Sequence, residues 1–391
     1  MKLPCQKCSK VGPSWCNRLD CPLFPKTSIP AKQSFSGATP NLFIGQYGYP
    51  HVNAGVLATE SYTQHDDPTA WTANKTPIPQ IMAYRSQLIN STTKADVAKP
   101  QDTLTDLRSL IAQATQAVAI DVELAKKPIF TIQYPQGTTP HGPSVSLKHA
   151  ELTQNVHVPT DVDKTLSDDL LAAQQLSMLH KRHDEYYLQK LFSAGLLGKT
   201  KKLVPTRWTI TAVDDTLGKE HLAKIRELPV MSEALVYTGG HYGNTYCILF
   251  LPHHWQYELF ELYAGSQEMT QWLWTDDEPY TGRTNYAEDT AGGYYAARLG
   301  ITRKLLAEKR QGAVLAFRFV TDEYTNPLGV WVVREAVRLC LANKPLRFAS
   351  DNLAIAYLRA FSQKKCGIDV SAQLDKSKLL PRLRQRTLAA F

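Results

Sequence analysis

No stretch of this 391-residue chain reaches the eighteen or so consecutive apolar residues that a membrane-crossing helix needs. The first ten residues, MKLPCQKCSK, lack the apolar core of a secretory leader, so the expectation is a cytoplasmic, nucleoid-associated protein with no membrane partner. Neither a GxGxxG fingerprint nor a Walker P-loop occurs, which argues against dinucleotide binding and P-loop phosphate chemistry. There is no repeat of fixed period and no low-complexity tract. Beyond residue 21 cysteine is scarce. Cys247, Cys340 and Cys366 are scattered and read as small structural residues. Charged residues make up only 20% of the chain against 43% hydrophobic, so a largely disordered protein is excluded. The length suggests two or three folded units.

The net charge of +8 is unevenly placed. Residues 331–391 carry 12 Lys/Arg against 4 Asp/Glu, and residues 1–32 carry 6 against 1. The middle of the chain is acidic, with 26 basic and 31 acidic residues. Positive ends of this kind suit an anionic partner, nucleic acid being the commonest.

Four cysteines, Cys5, Cys8, Cys16 and Cys21, fall in the first 21 residues with spacing C-x2-C-x7-C-x4-C. Two close pairs let four thiolates converge on one tetrahedral ion. A segment this small buries too little apolar surface to fold alone, so metal binding would supply its folding energy. Structural Zn²⁺ is the expectation. An iron–sulfur cluster uses the same ligands, and disulfides would need an oxidising compartment.

After this module, Pro22, Pro25, Pro30 and Pro40 suggest an extended strap. Residues 41–57 read as two strands around a Gly-rich turn. Leu104, Leu107, Ile111, Ala114 and Val118 recur at helical spacing, which predicts a helix over 102–125. A strand is expected at 128–134 and a long helix over about 161–194, capped by Thr160 or Asp161. Residues 206–213, 233–238, 244–252 and 255–263 read as strands, with hairpin signals at Gly239–Gly240 and Gly243–Asn244. Helices are expected at 290–310, 328–342 and 350–363, with a strand at 312–320. The fold class is therefore α+β: a mixed, largely antiparallel sheet with surrounding helices, a small four-cysteine module and a flexible tail. The expected units are 1–32, 33–363 and 364–391.

Polar chemistry collects in WTDDEPYTGRTNYAEDTAGGYYAARLGITR, residues 274–303. Gly292 and Gly293 stand at a helix start, where free N–H groups hold phosphate. Tyr294 and Arg298 share a helix face, Arg283 lies in the loop before them, and Arg334 follows on a later helix. Arginine with tyrosine suits phosphate contact and base stacking, so these six residues are the expected nucleic-acid surface. A second divalent metal would need several ligands from His241, His253, His254, Glu258, Glu261, Asp276, Asp277, Asp322, Glu323 and Glu335. His180 and His183 are expected to face solvent.

The chain ends Gln385, Arg386, Thr387, Leu388, Ala389, Ala390, Phe391. In one helical turn Leu388 and Phe391 project from the same side, with Gln385 at the rim. This resembles the peptide that docks in the groove of the PCNA sliding clamp. It carries one aromatic rather than two, and Phe391 ends the chain.

Four stretches together resemble the archaeal DNA-repair family NreA: the four-cysteine module, LFIGQYGYPHVNAGVL at 42–57, the pair GGYYAARLGI and PLGVWVVRE at 292–301 and 327–335, and the C-terminal peptide. The resemblance implies a DNA-damage-response protein that binds PCNA and carries a zinc finger. It supplies no catalytic residues. The expected function is a PCNA-bound DNA-repair factor that engages DNA. The alternatives are a metal-dependent nuclease or phosphoesterase, and a scaffold without enzymatic activity.

Overall fold

A computed structural model describes residues 32–99, 104–129, 141–264 and 274–384. The four-cysteine segment, most of the strand expected at 128–134, and Gln385–Phe391 lie outside the described residues. The chain divides into two compact units. One ends at Thr216 and takes in Asn326–Leu328; the other starts at Leu217.

The first unit is built on a closed five-stranded barrel. Its strands are β1 (Ser34–Ile44), β2 (His51–Thr59), β3 (Ile89–Asp96), β4 (Val118–Leu124) and β5 (Ser144–Leu152). Their order around the barrel is β1-β2-β3-β5-β4. Strand β1 is long enough to pair with β4 over Ser34–Thr39 and with β2 from Ala38 to Ile44, with its register shifting between Ala38 and Asn41. The β3–β5 pair is parallel. Alternation with period two sends Val52, Ala54, Val56 and Ala58 of β2, and Val118, Ile120, Val122 and Leu124 of β4, into the interior. Each such Val or Ile contributes about 1.5–3 kcal/mol on burial. At Gly55 a Cβ would lie 2.1 Å from the Ser91 carbonyl oxygen, so only glycine permits that approach of β2 to β3.

Helices α1 (Pro68–Ala73) and α2 (Ile78–Gln87) connect β2 to β3, and α3 (Thr105–Gln113) connects β3 to β4. Ile111 and Ala112 of α3 join the barrel core. The helix expected over 102–125 thus stops at Gln113. Val118, its last expected rung, is the first inward residue of β4, because VAIDVEL alternates with period two.

The single helix expected over 161–194 is three: α4 (Thr160–Ser167), α5 (Ala172–Leu179) and α6 (Glu185–Ser193). Asp168 is extended at the end of α4, and the Asp184 side chain accepts from Tyr187 N to start α6. Aspartates favour such local side-chain bonds over helix continuation. His183 does not face solvent: its Nε2 lies 3.0 Å from Asp161, and its ring stacks on Tyr187. Residues 206–213, read as a strand from their Thr, Ile and Val content, open helix α7 (Thr206–Ile225). The Pro205 carbonyl accepts from Trp208 and Thr209, and buried Val213 and Leu217 recur at helical spacing.

The second unit holds a six-stranded sheet. Its strands are β6 (Ala234–His241), β7 (Asn244–Leu251), β8 (Gln256–Tyr263), β9 (Trp274–Glu278), β10 (Ala313–Val320) and β11 (Leu346–Phe348), in the order β11-β6-β7-β10-β8-β9. Only β8 and β10 are parallel; the sheet is otherwise antiparallel. The β6–β7 turn falls on Tyr242 and Gly243, both at positive φ, so the expected signal at Gly243–Asn244 marks it, while Gly239–Gly240 is paired within β6. Helices α8 (Ala291–Glu308) and α9 (Trp331–Ala342) pack one face of the sheet, with Tyr246, Tyr257 and Val314. The other face holds Cys247, Phe260 and Phe317, against α10 (Asp351–Cys366), α11 (Ser371–Asp375) and α12 (Leu379–Arg384). Covered on both faces, β10 reads AVLAFRFV, eight consecutive buried residues.

Residues 364–384, grouped by sequence with the tail, are folded through this packing: Leu374, Leu379 and Leu380 are buried in it. Cys247 and Cys340 are buried, and burial pushes both thiols up, Cys340 to about 12, so neither offers a thiolate.

Candidate functional site

Strands β8 and β9 carry five carboxylates: Asp276, Glu278 and Glu261 alternate onto the face that packs α8, and Glu258 and Asp277, opposite each other in register, onto the other face. Each meets donors of the protein itself. Glu278 takes the Arg298 guanidinium at 2.8 Å and the Trp255 indole N–H at 3.0 Å. Arg298 is 1% exposed, and its guanidinium lies over the Tyr294 and Tyr295 rings, 5.7 and 5.5 Å from their centroids. Asp276 pairs with Arg283 at 2.7 Å and accepts from both the N–H and the hydroxyl of Thr290. Arg283 also donates to the carbonyls of Asp277, Asn285 and Tyr286. Glu261 accepts from Arg318 Nη1 at 2.7 Å, and the same guanidinium reaches Asn244. Burial alone would lower the Arg318 pKa, but Glu261 beside it holds it above the usual arginine range.

The expected phosphate surface is therefore interior. A carboxylate of the protein stands where a phosphate was expected at the start of α8: Asp276 takes Thr290, and a Cβ on Gly293 would lie 2.8 Å from Glu261 Oε1. Gly292, Gly293, Tyr294, Arg298 and Arg334 are all buried, and Arg283 is spent on Asp276 and three carbonyls. Helical spacing brought Tyr294 and Arg298 to one face as expected, but that face packs on the sheet.

The opposite face of β8 and β9 anchors the chain's last helices. Glu258 accepts from Ser377 Oγ, from Lys378 N at 2.9 Å and from Leu379 N at 3.2 Å. Burial raises its carboxyl, and those three bonds oppose the rise. Asp277 pairs with Arg382 and with Lys378 Nζ. The backbone is thus held as far as α12, one residue before Gln385. A cleft of about 350 Å³ opens beside α12, lined by His253, Asp351, Ile355, Leu380, Leu383 and Arg384.

The expected ligands of a second metal do not converge. His253 pairs with Asp351 at 2.7 Å, and His254 lies against Gln311. Glu335 pairs with Arg338. Among the described residues, no three His, Cys, Asp or Glu side chains come together as a metal site.

Exposed aromatic side chains collect elsewhere, at one end of the barrel. Phe43 of β1, Tyr47 and Tyr49 of the β1–β2 loop, and Trp208 at the start of α7 are all exposed. The Tyr49 and Trp208 rings lie 5.3 Å apart. The signal lay in LFIGQYGYPHV: an aromatic on an outward strand position and two more around Gly48. Trp208 is 159 residues further along, and no sequence pattern ties it to them.

A family model described as the N-terminal part of archaeal Nre matches residues 15–271, and its C-terminal counterpart matches 278–391. The chain is 34% identical to DNA repair protein NreA of Haloferax volcanii, over 78% of this chain and 77% of that one. It is 32% identical to DNA repair protein NreB of Archaeoglobus fulgidus over the whole of both chains. DNA repair protein NreA of the same organism is 31% identical, over 94% of this chain and 96% of the relative. No solved structure matches.

Proposed function

This chain belongs to the archaeal Nre family, and from that premise we propose that it is a DNA repair protein that works tethered to the PCNA sliding clamp. The observation that carries the reading is similarity along nearly the full length to three relatives named as DNA repair proteins. The clamp assignment rests on the Q-x-x-L-x-x-F spacing of Gln385, Leu388 and Phe391. Its support from geometry is the anchor before it. With Arg382 held by Asp277, a clamp-bound peptide keeps the folded units close to the ring and to the DNA passing through it. Tethering raises local concentration, so a weak grip on DNA suffices. The zinc module, held by Cys5, Cys8, Cys16 and Cys21, is a structural element of the same reading.

The deciding measurement titrates purified clamp into the intact chain and into a chain ending at Arg384, with and without nicked duplex DNA. Binding by the intact chain alone, strengthened on DNA, is the expected result. Equal binding by both chains would remove the tail from the interface. Clamp binding without any DNA contribution would leave a scaffold.

A further inference from the structure

We propose that the outer face of the five-stranded barrel, at the β1–β2 loop, is a binding surface for single-stranded DNA. The proposal rests on the DNA-directed reading above for its choice of DNA; the surface itself follows from the barrel. The strand order β1-β2-β3-β5-β4, with β1 closing on β4, a parallel β3–β5 pair and a helix between β3 and β4, is that of the OB-fold. In that fold the face of strands 2 and 3, with the loop between strands 1 and 2, takes oligonucleotides and oligosaccharides.

The side chains on this face separate those two ligands. Leu42 and Ile44 point inward, so Phe43 between them points out. Asn53 of β2 and Lys94 of β3 are outward by the same alternation and stand opposite each other in register. The intervening loop turns on Gly48, at φ +81°, whose carbonyl accepts from His51 N; Tyr47 and Tyr49 flank it. Backbone bonds stitch three segments together here. Val97 N donates to Pro50 O, Leu203 N donates to Val97 O, and Ile44 N donates to Thr206 Oγ1. They bring Trp208 beside Tyr49. The result is four rings, Phe43, Tyr47, Tyr49 and Trp208, exposed by 39, 81, 54 and 45%. The other exposed aromatics of the described residues are Trp274, Tyr280 and Tyr286, so most lie at this one place.

Exposed rings lose free energy to water unless something covers them. The charge around them selects the cover. The three stitched segments, residues 43–53, 92–99 and 201–208, carry Lys94, Lys99, Lys201, Lys202 and Arg207 against the single acid Asp96, whose carboxylate accepts from Ala98 N. Lys94, Lys99, Lys202 and Arg207 are exposed. Aromatic platforms rimmed by Lys and Arg fit a chain of π-faced bases on a phosphate backbone. Neutral sugars would not need the positive rim. In a duplex the base faces are already stacked on one another, so rings of this kind select unpaired strands.

The test is fluorescence anisotropy with the intact chain and a labelled oligo-dT of about 15 nucleotides, within the span one OB barrel covers. Its competitors are the matching duplex and oligo-rU of equal length. Wild-type protein is expected to bind oligo-dT in preference to duplex. Tyr47→Ala is expected to weaken that binding about fivefold to a hundredfold, as loss of one stacked base does, while Tyr47→Phe restores it. Because Tyr47 is the most exposed of the four, both variants should keep the wild-type melting temperature. Lys94→Ala/Arg207→Ala should lower the dependence of affinity on salt. Wild-type affinity in Tyr47→Ala/Trp208→Ala would overturn the surface. Equal or tighter binding of duplex, or tighter binding of oligo-rU, would overturn the ligand. No clamp is present in this assay, so loss of the tail's role leaves its outcome untouched, and a failed barrel surface leaves the clamp titration untouched.

Discussion

Glu258 and Ser377, 119 residues apart in sequence, are hydrogen-bonded in the folded chain, and the same carboxylate accepts from two backbone N–H groups of the following turn. Glu258→Ala leaves those three donors without their acceptor. Unsatisfied buried donors cost about 1–3 kcal/mol each, and water reaching a frayed end recovers part of it, so a loss of about 2–4 kcal/mol is expected. The local consequence is more specific. Trypsin should cut at Arg382 and Arg384 much earlier in Glu258→Ala than in wild type, while β10 amides keep their protection from hydrogen exchange. Unchanged cutting would mean that the leucines of α12 hold it without Glu258.

Lys190 carries its amine into the first unit, where it donates to the Ala114 carbonyl at 2.6 Å. Burial lowers its pKa to about 8, against the pull of Asp66 and Asp184. Between pH 8 and about 10.5 the unfolded chain therefore binds more protons at this site than the folded one. Stability from this group rises with pH through that window, by at most about 3 kcal/mol. Urea melts at several pH values should show the rise in wild type. In Lys190→Met the contribution should be absent, and an identical pH slope in both proteins would contradict the burial.

Arg298→Ala tests the interior network. It strips Glu278 of its counter-charge at a place closed to water, and breaking such a pair costs about 3–5 kcal/mol. The same variant, kept at a temperature where it is folded, should bind single-stranded DNA with the wild-type salt slope. A reduced slope would return this arginine to the DNA surface.

Local pattern made much of this fold legible. The hairpin in residues 41–57, helix α8, strand β10 and helices α9 and α10 stand close to their expected positions, because each carries one clear period. Two failures came from competing local signals, one of period and one of composition. Val118 fits both a helix rung and a strand alternation, and Thr206–Val213 is β-branched yet helical, its start set by the Pro205 carbonyl. The site was harder. Tyr294 and Arg298 were correctly paired on one helix face, but whether that face meets phosphate or Glu278 depends on β9, which sequence cannot bring to it. Likewise, the ring of Trp208 meets Tyr49 only once the barrel closes.

The four-cysteine module lies outside the described residues, and its test is chemical. Elemental analysis should give about one zinc per chain, with Cys16→Ser losing it. Iron with visible charge-transfer absorption in place of zinc would make the site a cluster. Full zinc in Cys16→Ser would sink the assignment of that ligand.

The last seven residues are expected to fold into one turn in the groove of the clamp. Leu388 and Phe391 would each bury apolar surface worth about 1.5–3 kcal/mol before ordering costs. Ordering the peptide offsets much of that, so micromolar affinity is expected. Lys378 and Arg382 are engaged with Asp277, which leaves Lys376, Arg384 and Arg386 to attract an acidic clamp. Charge of that kind speeds association more than it slows release. Replacing the three by Gln should therefore lower the association rate and its salt dependence, with little change in dissociation. Leu388→Ala/Phe391→Ala should match complete removal of residues 385–391, because the two side chains form the apolar plug. Neither change touches the bonds from Glu258 and Asp277 that hold the preceding helix, so the melting temperature should stay at its wild-type value. Calorimetry with purified clamp decides between the outcomes. If the double variant still binds at wild-type affinity while full removal abolishes binding, the contact is made by the tail but not through this plug; if both bind as wild type does, the spacing of Gln385, Leu388 and Phe391 is a coincidence.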